Sequence, residues 1–99
     1  MIHVELFSTA QCSLCDEARA ILMRVQETLP FTFSEIRLHP GDALYDEYRE
    51  LVPVVHVNRV PAFRYRLREG MVRIRLQQIA SGSVRPQTED DADAGEVIR

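Results

Sequence analysis

Ninety-nine residues allow one domain at most, and 45% hydrophobic residues are enough for a single core. The longest apolar runs, such as Val52-Pro53-Val54-Val55, fall far short of the ~20 residues of a membrane-spanning helix. The formal net charge of −3 resides wholly in residues 81–99, where five acids meet two arginines; ten acids balance ten arginines in residues 1–80, so the body carries no global bias toward nucleic acid or a membrane surface.

The first residues, MIHVELFS, lack a basic segment and a long apolar segment, so they do not read as a signal peptide. The expectation is a soluble, cytoplasmic protein. Only two cysteines occur, Cys12 and Cys15. Two are too few for a secreted disulfide scaffold, and in a reducing cytosol a close pair points to catalysis or metal binding.

Residues 2–7 are short, apolar and partly β-branched, which predicts a first strand. A polar turn covers 8–12. From Ser13 the apolar positions Leu14, Ala18, Ile21, Leu22, Val25 and Leu29 keep a helical period, with Pro30 as the stop. Residues 31–38, FTFSEIRL, predict a second strand. His39-Pro40-Gly41-Asp42 is a turn in which Asp42 would cap a short helix, Ala43–Leu51. Val54–Val57 reads as a third strand beginning directly after Pro53. Residues 58–61 form a turn and Ala62–Arg66 a fourth strand. Residues 69–80 fit either period, but Gln77 and Gln78 and the Ser81-Gly82 stop favour a helix. Residues 81–99 are acidic and almost without apolar periodicity, which predicts a disordered tail after a domain of residues 1–80. This order needs a parallel pair for the first two strands and an antiparallel hairpin for the last two.

The sequence places the two cysteines at the strand-to-helix junction. A thiol reacts as thiolate, and unpaired N–H groups at a helix start favour an anion there. Cys12 would be the exposed nucleophile, and Cys15, one turn on, would resolve a mixed disulfide from inside. Asp16 and Glu17 would oppose a negative sulfur. A zinc site normally needs four ligands, and His3, His39 and His56 are scattered singly, so no metal ligand set is read here. A cluster bridged between two chains stays open, because two molecules would supply four thiolates; so does a pair of inert cysteines.

Placed on this strand–helix order, Cys12-Ser13-Leu14-Cys15-Asp16 with Ala18, followed by Val52-Pro53-Val54, resembles the small glutaredoxin-like proteins of the thioredoxin superfamily. The resemblance covers roughly residues 1–80. It implies an α/β thioredoxin fold, a four-stranded mixed sheet flanked by three helices, and a dithiol active site. It also implies that Pro53 is cis and faces that site, with Val52 presenting its backbone N–H and C=O to substrate. Ser13 and Leu14 stand where glutathione-using glutaredoxins have Pro-Tyr, and residues 63–71 contain no Gly-Gly pair. Protein and glutathione disulfides are both open as substrates.

Six arginines (59, 64, 66, 68, 73 and 75) crowd into seventeen residues. If 62–66 is a strand, Arg64 and Arg66 share a face and form a candidate anion site; the competing reading is a solvated edge that deters aggregation. The leading expectation is a monomeric thiol–disulfide oxidoreductase reset by a reductase or glutathione, with no cofactor. The alternatives are an iron–sulfur or metal carrier bridging two subunits through Cys12, and a non-catalytic binding module of the same fold.

Overall fold

Strand β1, His3–Ser8, carries buried residues on both faces and forms the centre of the fold in the computed structural model, which describes residues 1–82. Its neighbours follow the order β2-β1-β3-β4. Strand β2, Thr32–Arg37, runs parallel to β1, with Leu6 opposite Glu35. Strand β3, Val54–Val57, is antiparallel to β1, with Phe7 opposite Val54. Strand β4, Val60–Arg64, closes the other edge, antiparallel to β3.

The alternation along β1 sorts two clusters onto opposite faces. Val4 and Leu6 face helix α1, Ser13–Gln26, and helix α3, Glu69–Ser81; their cluster takes Ala18, Leu22 and Val25 from α1, Val55 and Val57 from β3, and Val72 and Leu76 from α3. Phe7 points the other way, where Leu38, Val54, Tyr45 and Tyr48 gather around a single helical turn, α2, Tyr45–Tyr48. The inward face of α1 is Cys15, Ala18, Leu22 and Val25, so Cys15 takes a core position while Leu14 remains half-exposed. Helices α1 and α3 are fastened by Glu69, which accepts from Arg24 at 2.9 Å and Arg73 at 3.1 Å.

Three predicted boundaries shift, each for a local reason. Helix α2 is four residues long rather than nine, because the Asp42 carboxylate turns back to accept the His39 N–H at 2.7 Å and does not cap the helix. Gly41, at φ 101°, supplies the left-handed position that this Pro-Gly turn requires. The hairpin between β3 and β4 is only Asn58-Arg59, both at positive φ, the two-residue geometry that matches strand twist. Strand β4 therefore starts at Val60, accommodates Pro61 on the sheet edge beside a bulge, and ends at Arg64. Tyr65 is left-handed, at φ 66°, so Arg66 lies off the strand, and the expected shared strand face of Arg64 and Arg66 does not exist. Helix α3 forms as predicted and stops at Gly82, left-handed at φ 78°. The tail expected beyond it lies outside the described residues.

Candidate active site

The chain leaves β1 at Ser8 and reaches α1 through Thr9-Ala10-Gln11, with Gln11 in the left-handed region at φ 57°. This turn delivers Cys12 to the N-cap of α1 in an extended conformation, where its sulfur accepts the Cys15 N–H at 3.1 Å. A sulfur thus occupies the place that a Ser or Asp oxygen takes in an ordinary helix cap. Cys12 and Cys15 are joined by a disulfide, with their Cα atoms 5.2 Å apart. The two sulfur-bearing residues differ in access: Cys12 is half-exposed, whereas Cys15 is 1% exposed.

The acids that follow are compensated. Asp16 is bound by Arg19 at 3.0 Å, and Glu17 faces Arg66 at 3.6 Å. Both acids are largely exposed, so their residual effect on a thiolate is also screened. Arg19 also forms a two-pronged pair with Glu35 of β2, both contacts at 2.6 Å, and the fully buried Ser8 hydroxyl donates to the same carboxylate at 2.8 Å. The end of β1, the middle of β2 and the second turn of α1 therefore meet on one carboxylate. The Arg19 hydrogen bonds hold the Glu35 carboxyl below its ordinary range against the opposing effect of burial, and Ser8 adds to them.

Val52 and Pro53 enter β3 beside the exit of β1, since Val54 pairs with Phe7. Pro53 is fully buried and the Val52–Pro53 peptide bond is cis. The Val52 N–H donates to the Tyr48 carbonyl at 3.0 Å, which already accepts from Leu51, so it is not free to pair with substrate. The expected donor–acceptor pair at Val52 is thereby reduced to its carbonyl, which accepts no hydrogen bond among the described residues.

The family profile described as Glutaredoxin-like domain (DUF836) matches residues 3–80. The chain belongs to the glutaredoxin-like domain family. Solved structures share its fold at low identity. Thioredoxin-2, described as a component of malaria parasite protein secretion machinery, superposes with a TM-score of 0.61 at 12% identity, over 79% of this chain and 82% of that one. A malarial protein gives 0.60 at 14%, over 80% and 96%. Oxidised thioredoxin O2 from Arabidopsis thaliana gives 0.52 at 16%, over 83% and 74%. The architecture is the thioredoxin fold, and with the disulfide at Cys12 and Cys15 it supports a redox role.

Around this site the arginines separate. Arg64 lies over the Tyr65 ring, 5.6 Å from its centroid, and Arg66 reaches α1 through Glu17. Arg75 lies over Phe63, and Arg73 belongs to the α1–α3 fastening. The histidines do not converge. His3 contacts Thr32, and His56 sits among Phe7 and Tyr48, where burial lowers its pKa and Glu5 partly offsets this. No group of three or more His, Cys, Asp or Glu is placed to hold a metal among the described residues, and no described helix is long and apolar enough to cross a membrane. Two features escape a reading of the sequence. The Ser8–Glu35–Arg19 junction depends on strand register, and its one local signal is a carboxylate inside an apolar strand. The backbone of Tyr65 carries no signal at all.

Proposed function

We propose that the chain is a thiol–disulfide oxidoreductase acting on protein or glutathione disulfides through Cys12 and Cys15. The observation that carries this reading is the unequal access of the two bonded cysteines, Cys12 partly exposed at a helix N-cap and Cys15 buried in the core. In the reduced protein the Cys12 thiolate, favoured by the helix start, attacks one sulfur of a substrate disulfide. A mixed S–S bond forms, and the first substrate sulfur leaves as a thiolate and is protonated. Cys15 then gives up its proton and attacks the Cys12 sulfur; the mixed bond breaks and the second substrate sulfur leaves and is protonated. Two electrons and two protons pass to the substrate, and the protein is left with the Cys12–Cys15 disulfide. Two electrons from a dithiol reductase, or from two glutathione thiols, reset it. The chemistry uses no metal or organic cofactor and one copy of the chain, and the reading assigns it to the reducing cytoplasm.

The test is a redox titration with thiol trapping, run beside disulfide-reduction assays with each donor. A reversible two-electron Cys12/Cys15 couple, turnover lost in Cys12→Ser, and a trapped mixed disulfide in Cys15→Ser are the expected results. A pair that never cycles would refute the reading, and visible absorbance after anaerobic purification would point to cluster carriage instead.

A further inference from the structure

The segment after β4 has a backbone that its sequence does not favour. A tyrosine at φ 66° is uncommon and persists where its surroundings hold it. The hold is visible: the Tyr65 N–H donates to the Pro53 carbonyl at 2.9 Å and also approaches the Leu51 carbonyl at 3.1 Å. The segment is thus tied to the Val52–Pro53 entrance of β3. On its other side, Arg66 reaches Glu17, two residues beyond Cys15. Residues 64–66 therefore bridge the proline loop and the cysteine-bearing helix, along the rim of the candidate site.

That rim is exposed and cationic. Arg64, Arg66 and Arg68 are exposed, and Tyr65 is 47% exposed with the Arg64 guanidinium over its ring. Among the described residues the neighbouring acids are engaged elsewhere: Asp16 with Arg19, and Glu69 with Arg24 and Arg73. Among the described residues the acid paired with these three arginines is Glu17, which meets Arg66 through a 3.6 Å contact between exposed partners, and that contact is weak. Arg64 lies over the Tyr65 ring while Arg66 reaches toward Glu17 on α1, so cations at alternate positions of the chain suit several carboxylates on a polypeptide better than a single anion. The Val52 carbonyl adds one acceptor for an extended backbone, and because its N–H is taken, side-chain recognition has more of the selection to do.

We infer that the Arg64–Arg68 rim selects disulfides carried on acidic polypeptide segments. The inference rests on the thiol–disulfide reading above and names its substrate class. An acidic segment is drawn along the rim by its charge, its carboxylates pair with Arg64 and Arg66, and its disulfide arrives at Cys12.

The experiment uses the full reduced chain and three synthetic peptides, each with one internal disulfide, flanked by Glu, Gln or Lys. Stopped-flow reduction should be fastest for the Glu peptide, on the order of tenfold over the Gln peptide at ~0.01 M salt, with the ratio nearing one at ~1 M. The double variant Arg64→Gln/Arg66→Gln should bring the low-salt ratio close to one, and Glu17→Gln, which releases Arg66, should raise it. Equal rates for the three peptides, or a ratio unmoved in the double variant, would overturn the inference. Glutathione disulfide reduced faster than the Glu peptide, with the same loss in the double variant, would also overturn it. A second arm measures fluorescence anisotropy of a cysteine-free Glu peptide with the oxidised chain. Binding there without reduction of any peptide defeats the redox reading alone, and absence of binding defeats the inference.

Discussion

Replacing Glu35 by Gln tests the junction beneath the cysteine helix. Both carboxylate oxygens are acceptors: Oε1 for Arg19 Nε, and Oε2 for Arg19 Nη2 and the Ser8 hydroxyl. An amide keeps one acceptor and replaces the other with a donor. The arrangement that costs least keeps oxygen at the Oε2 position and gives up the bond to Arg19 Nε. One hydrogen bond to a charged group contributes about 1.5–3 kcal/mol. Side-chain exposures of 32% for Arg19 and 21% for Glu35 discount this for solvent screening, to about 1–2 kcal/mol. The folded-state pKa of Glu35 is depressed, so its contribution is present above the ordinary glutamate value, ~4.3, and lost as pH falls through the folded value. Thermal unfolding of wild type and variant should differ by about 4–8 °C per kcal/mol at pH 7, and the difference should shrink as pH falls below ~4.3. Equal stability at pH 7, or a loss as large at pH 3 as at pH 7, would refute the reasoning. Arg19→Ala completes a double-mutant cycle whose coupling should follow the same pH dependence.

Leu22→Ala opens a cavity in the main core, where Leu22 is 1% exposed, and should cost ~2–5 kcal/mol by denaturant titration with an unchanged slope. Gly41→Ala meets no atom within 4 Å of the new Cβ, so its whole cost is the strain of φ 101°, ~1–3 kcal/mol, read as a fall in Tm. Burial depresses the His56 pKa, with Glu5 opposing; the neutral ring's contribution is therefore present above ~6.5 and lost as pH falls. His56→Phe, which keeps a ring beside Phe7 and Tyr48, should flatten the decline in stability between pH ~6.5 and 5.

The parts of this fold that are legible in the sequence are those written in side-chain periodicity. Val4 and Leu6 announce β1, the 18–22–25 spacing announces α1, and Val54–Val57 announces β3. What stays illegible is written in backbone dihedrals and strand register. Arg59 and Tyr65 adopt left-handed conformations that neither side chain favours, so the hairpin and the end of β4 fall elsewhere than expected, and Arg66 moves from a strand face to the cysteine helix. Asp42 has two possible partners and takes His39. The Cys12–Cys15 pair is legible once its spacing is read together with the strand-to-helix junction and the Val52-Pro53-Val54 segment. Its supporting carboxylate is not, because Glu35 meets Ser8 and Arg19 only after β2 aligns in parallel with β1.

Helix α1 begins on the sulfur of Cys12, so the atom that would exchange electrons also satisfies the first turn of the backbone. Folding and redox chemistry then share a thermodynamic cycle. Any difference in unfolding free energy between the oxidised and reduced protein must equal the difference in reduction free energy between the folded and unfolded pair, with ~30 mV corresponding to about 1.4 kcal/mol. Two unfolding curves, one for each oxidation state, would thus serve as an electrochemical measurement made without an electrode.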